Sequence, residues 1–141
     1  MSRLPAQRRR SPVAAPSEHH EQSLVCEWWR YACKGYGLPE FSLFSVPNGA
    51  HLAGDARGRA IKMANLKRTG LRPGVPDLCL AVPRLDIGAG ALYVEMKRKP
   101  NKPSEDQEKV ILYLRQRGYH CVIAWSVGEA IKAITEYLHN P

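Results

Sequence analysis

Two apolar runs of strand length, DLCLAV at 77–82 and ALYVEM at 91–96, constrain this chain more than any other feature. Each is too short for a core-packing helix, and a loop containing Gly88 and Gly90 separates them, so they are expected to be adjacent central strands. Strands this apolar need helices to cover them.

The flanking sequence supplies those helices. Leu24, Val25, Trp28, Trp29, Tyr31 and Ala32 recur at helical spacing from Glu18 onward, and Gly35 and Gly37 stop the run. FSLFSVPN then alternates apolar and small polar residues and reads as a strand ended by Pro47, Asn48 and Gly49. After a small-residue loop at 49–56, the segment from about Arg57 to Arg68 reads as a short amphipathic helix with a strongly cationic polar side, closed by Gly70. Beyond the two strands, Ser104 followed by Gln107 is a capping-box arrangement, and Val110, Ile111 and Leu114 mark the buried face of a helix that ends at Gly118. YHCVIAW is a further short strand. VGEAIKAITEYL is a final helix with Ala130, Ile131, Ile134 and Leu138 along one face. Helix, strand, short helix, strand, strand, helix, strand, helix describes an α/β (α+β) fold, a central mixed sheet flanked by helices.

The 141 residues suit one domain and a tail. Residues 1–17, rich in Pro, Arg, Ser and Ala, are expected to form a disordered basic arm, with 18–141 as the domain. No apolar run approaches the length of about 20 that crosses a bilayer, and no secretory signal is apparent, so the expectation is a soluble, cytoplasmic protein without a membrane partner. Cys26, Cys33, Cys79 and Cys121 contain no CxxC pair and read as reduced, mostly buried thiols. A formal charge of +8 favours a polyanionic partner, nucleic acid first, although part of the excess lies in the arm.

The charges at the strand ends carry the chemistry. Asp77 opens one strand in Gly74-Val75-Pro76-Asp77, and Glu95-Met96-Lys97 closes the next. Antiparallel neighbours bring these together, and Glu95 and Lys97, two apart, share a face while Met96 points into the opposite layer and offers only its carbonyl. Two adjacent carboxylates repel unless a divalent cation lies between them, and magnesium suits such oxygen ligands best. Such an ion with Lys97 beside it would cleave a phosphodiester. A turn-capping aspartate and a strand-end ion pair would leave the same residues.

Together, PGVPDLCL, LYVEMKRK and the helix-opening SEDQ resemble the VRR-NUC branch of the PD-(D/E)XK nucleases, over about residues 18–138. The resemblance implies a restriction-endonuclease-like core of αβββαβ order, here with a short inserted helix and a C-terminal helix. It implies that Asp77, Glu95 and the Met96 carbonyl bind Mg2+ or Mn2+ and that Lys97 is the catalytic lysine. Glu21 matches the family's N-terminal acidic residue, with Glu18 and Glu27 as rivals, and Gln107 a site glutamine that also suits a plain capping role. Leu66-Lys67-Arg68 stands where the family has Val-Arg-Arg. Lys67, Arg68 and Arg72, with Arg98, Lys99 and Lys102 after the second strand and Lys62 before it, are expected to form a DNA-binding rim. Small stand-alone members occur in bacteriophage and bacteria, and the likeness implies a homodimeric endonuclease acting on branched DNA such as Holliday junctions. Two alternatives stand beside it: a nuclease-fold DNA-binding module, and a restriction or repair nuclease directed by a partner. His51, Asn48, Trp28 and Trp29 receive no catalytic role.

Overall fold

The computed structural model describes residues 16–48 and 52–139. The arm expected at 1–17 therefore lies outside the described residues except for Pro16 and Ser17, and His51 lies outside them as well.

Among the described residues, four α-helices and one four-stranded sheet make up the fold: α1 Glu18–Ala32, β1 Leu43–Ser45, α2 Ala56–Arg68, β2 Leu78–Leu80, β3 Leu92–Met96, α3 Glu105–Gln116, β4 His120–Ala124 and α4 Val127–His139. The strands lie in the order β1-β2-β3-β4, with β1–β2 and β2–β3 antiparallel and β3–β4 parallel. A parallel pair needs a crossover, and α3 provides it. No helix among the described residues is long and apolar enough to cross a membrane.

Strand alternation divides the sheet into two faces. Leu78, Leu80, Leu92, Val94 and Met96 pack on one face with Val25 and Trp29 of α1 and Ala130, Ile134 and Tyr137 of α4. The spacing of the α4 trio, four and three residues, puts them on one helical stripe. Full burial of a side chain such as Ile134 contributes about 1.5–3 kcal/mol. Glu95 points to the opposite face, where α3 lies and Ile111 is its one buried residue.

Trp29 is 1% exposed and donates its indole N–H to the Glu40 carbonyl at 3.0 Å, so it serves the core and is closed to base stacking. The same region departs from the expected strand. Glu40–Ser42 is a 3-10 turn, because the Ser42 backbone N–H and hydroxyl both donate to Pro39 O, at 3.1 and 2.7 Å, and only Leu43–Ser45 pairs with β2.

A larger correction concerns α2. It forms where the spacing predicts, with Asp55 as N-cap accepting from Gly58 N–H at 2.7 Å, but none of its 13 residues is buried. Ile61 is 54% exposed, while Met63 and Leu66 are half-buried. Ile61 and Met63 lie two apart, on nearly opposite sides of a helix, so the apolar residues never make one stripe.

Candidate active site

The site is built where the ladder of β2 and β3 runs out. Leu78 pairs with Val94, and continuing that register by one residue sets Asp77 opposite Glu95. Pro76, fully buried, has no N–H to extend the ladder. Asp77 takes over instead, its Oδ2 accepting from Met96 N–H at 2.9 Å and its carbonyl from Val46 N–H at 2.8 Å. Lys97 is held on the other side by its own N–H, donated to Ala124 O of β4 at 2.8 Å.

Glu95 is the centre of the arrangement and is 2% exposed. Its Oε1 receives both available donors: Lys97 Nζ at 3.2 Å and the Gln107 side-chain N–H at 2.5 Å. Its Oε2 is buried and has no hydrogen-bond partner among the described residues. Burial pushes the Glu95 carboxyl up to about 7, the negative Asp77 adds to the rise, and Lys97 opposes it. Burial also raises the Asp77 carboxyl, against the lowering effect of the Met96 N–H and of Lys97. Two carboxylates are thus gathered in a site that makes ionisation costly for both, and a bound cation would remove that cost.

Gln107 reaches Glu95 because of how α3 begins. Ser104 is the N-cap of a complete capping box: its Oγ accepts from Gln107 N–H at 3.2 Å, and Gln107 Oε1 accepts from Ser104 N–H at 2.8 Å. The cap fixes the amide plane, and the remaining nitrogen faces Glu95. The capping role and the site role of Gln107 are therefore both met by one side chain. The helix end is itself seated on Gly74, whose φ of 89° and contact with α3 exclude a side chain; an added Cβ would fall 2.4 Å from Asp106 O.

From α1 the geometry selects Glu18. Its Oε1 accepts from Arg98 N–H at 3.0 Å, and its charge raises the carboxyls of both Asp77 and Glu95. Glu21, expected here from the resemblance, lies three residues further along the same first turn and is not among the charges that act on Asp77 or Glu95. Both are first-turn acids, and only the docking of α1 against the end of β3 separates them. Asn48, given no role on sequence grounds, also borders the site: its Nδ2 lies 3.5 Å from Asp77 Oδ1, brought there by the pairing of Val46 with Asp77.

Arg98, Lys99 and Lys102 are exposed on the loop that follows Lys97. Lys67 and Arg68 are exposed at the end of α2, and exposed Arg72 donates to Lys67 O at 2.9 Å. Among the described residues no group of three or more His, Cys, Asp or Glu side chains converges as a metal cage. The candidate ligand oxygens that do meet are Glu95 Oε2 and the Asp77 carboxylate, whose Oδ2 also accepts from Met96 N–H. That set suits a hard divalent ion such as magnesium, which binds through one or two carboxylates and keeps several waters.

The VRR-NUC domain family model matches residues 15–127, from the start of α1 to the start of α4. The chain belongs to the VRR-NUC family. A solved structure described as a VRR_NUC domain protein is similar to it with a TM-score of 0.71 at 24% identity, over 89% of this chain and 90% of that one. That likeness confirms the mixed sheet with flanking helices as the fold of the family. Among curated proteins none matches the chain. Membership in the VRR-NUC family implies a nuclease-type function with DNA as substrate.

Proposed function

We propose that this VRR-NUC protein is a magnesium- or manganese-dependent endonuclease that hydrolyses DNA phosphodiesters at Asp77, Glu95 and Lys97. The observation that carries the reading is the asymmetry of Glu95: both donors serve Oε1, and Oε2 is buried and unpartnered among the described residues. An unsatisfied buried polar oxygen costs about 1–3 kcal/mol, and a charged one more, unless something binds it. A divalent cation meets that need.

Asp77, Glu95 and the Met96 carbonyl would hold the ion, with Glu18 in the position that the resemblance gave to Glu21. The ion supplies positive charge to a phosphoryl oxygen and to the departing oxygen. Lys97, an ammonium 3.2 Å from Glu95 Oε1, would orient the attacking water and offset charge on the phosphate, while the water's proton leaves to solvent as the new P–O bond forms and the bond to the sugar oxygen breaks. Gln107 fixes the Glu95 carboxylate so that its free oxygen keeps one direction. Arg98, Lys99, Lys102, Lys67, Arg68 and Arg72 hold flanking phosphates.

The family resemblance further supports branched DNA as the substrate and a homodimer that presents two sites to two strands. Incubation of the pure protein with labelled linear, flap and four-way-junction DNA, in magnesium, manganese or chelator, tests all of this. Cleavage should need the metal and favour the branched forms. Asp77→Ala and Lys97→Ala should each lower the rate by about 10²–10⁴ while the protein stays folded. A folded variant that cuts at the wild-type rate would refute the assignment, and DNA binding without any metal-dependent cutting would make the protein a binding module instead.

A further inference from the structure

We infer that α2 is a docking element for duplex DNA, gripping the phosphates of an arm beside the cleavage point. The inference rests on the nuclease reading above for its partner, and on α2 alone for its location.

Three observations carry it. A helix of 13 residues without a buried residue, only Met63 and Leu66 of its larger apolar side chains being half-buried, gains little from the core, and isolated helices of that length are marginal in water. The side-chain hydrogen bonds that order this one are local: Asp55 caps it, Arg59 donates to Gly54 O at 2.5 Å, Lys62 to Ala53 O at 2.8 Å, and Thr69 to Asn65 O at 3.1 Å. It is thus kept ordered while Arg57, Arg59, Lys62, Lys67 and Arg68 stay exposed.

Charge is the second observation. Six of the 21 Lys and Arg, and none of the 13 Asp and Glu, fall in residues 56–76. That segment accounts for six of the eight excess positive charges. With residues 1–17 also set aside, the rest of the chain carries a net charge of −2, so the positive pole of the domain is α2 and the turn that follows it. Exposed Arg57, Lys67 and Arg68 have no side-chain partner among the described residues.

The third is reach. A helix of 13 residues is about 20 Å long, the rise of about six base pairs. Eight residues, 69–76, lead from its last turn to Asp77, so its C-terminal end adjoins the site in the chain while Arg57 stands at the far end. A second copy of the chain is the poorer occupant, because α2 against α2 would set five cations against five, whereas a phosphate backbone complements every one.

The test uses full-length protein with Arg57→Gln and Arg59→Gln combined, both outside the set assigned to the active site and its rim. Glutamine keeps the helix propensity of the residues it replaces. Binding of a four-way junction is followed by anisotropy across salt concentrations in calcium, and cleavage by single-turnover rates at saturating DNA in magnesium. Each phosphate that a cation no longer neutralises should flatten the log–log salt dependence by about 0.9. We expect a slope lower by about 1–2, weaker binding, and an unchanged saturated cleavage rate. Arg57→Lys with Arg59→Lys should restore the wild-type slope.

An unchanged slope overturns the inference, as does weaker binding with the wild-type slope, or a change of oligomeric state with DNA binding intact, which would give α2 to a protein partner. Should the double variant fail to fold by circular dichroism, Arg57→Gln alone, at an exposed position, must still reduce the slope by about 1. Failure of the nuclease reading looks different: wild-type protein would bind without cutting, and the α2 comparison would still be decided by the slopes.

Discussion

The side chain of Gln107 answers two neighbours at once, its oxygen bonded to Ser104 N–H at 2.8 Å and its nitrogen to Glu95 Oε1 at 2.5 Å. Gln107→Glu separates these duties. A glutamate still accepts from the cap and should leave stability within about 1 kcal/mol of wild type, yet it turns a donor into a like charge facing Glu95 and should lower cleavage about 10–100-fold. Thermal unfolding and single-turnover rates on the same sample check both halves. Glu95 itself makes a prediction about pH. Its folded carboxyl titrates at about 7, above its ordinary value of 4.5, so between these values the native state holds a proton the unfolded chain has released. Stability from this group is complete below about 4.5 and is lost as pH rises through about 7. Without metal, Glu95→Gln should therefore melt higher than wild type at pH 8 and nearly level with it at pH 4.5, and manganese should raise wild-type melting more at pH 8 than at pH 5.5. Manganese stabilisation that is equal at both, or equal in the variant, would contradict the role of Oε2. At this scale the sequence was informative where strand parity decides, as for Asp77, Glu95 and Lys97. Helix phase is less legible: Glu18 and Glu21 share a first turn, and the hydrogen bond that Glu18 accepts from Arg98 N–H could not be read from their spacing.

Elements position those residues, and the tightest joint between elements is Gly74 against the first turn of α3. Gly74→Ala would drive a methyl into Asp106 O, 2.4 Å away, at a φ of 89° that alanine disfavours. The helix start must move and carry the Gln107 amide off Glu95. We expect a loss of about 1–3 kcal/mol in stability, seen in urea unfolding, together with a fall in cleavage that Gly70→Ala does not share; at Gly70 a Cβ meets nothing within 4 Å, although its φ of 116° is also strained. Equal cleavage by the two variants would show that α3 tolerates the shift. Helices α1, α3 and α4 were legible from apolar spacing, and α3 also from its capping box, although Leu24 and Tyr31 of the α1 pattern are exposed and Tyr137 joins the buried stripe of α4; β2 and β3 were legible because they are short and apolar. The exposure of α2 was not legible, since its apolar count suggests a buried stripe that the angular spacing denies. The 3-10 turn at Glu40–Ser42 was hidden for another reason: Ser42 reads as a strand residue until its hydrogen bonds to Pro39 O are seen.

At the scale of the whole molecule, the expected dimer should sediment at twice 15.8 kDa, and a mass of one chain at micromolar concentration would limit each molecule to a single site. The sheet has one face sealed by α1 and α4 and the other occupied by α3 and the charges of the candidate site, so the element order read from the sequence carried over intact, and so did the cationic character of α2. Six excess positive charges sit on 56–76 and the domain around them is slightly acidic. A body so polarised turns in the field of a polyanion before it touches it. Its encounters with DNA are then pre-aligned: added salt should slow association steeply, and the same number of collisions should yield fewer productive dockings once the charge of α2 is removed.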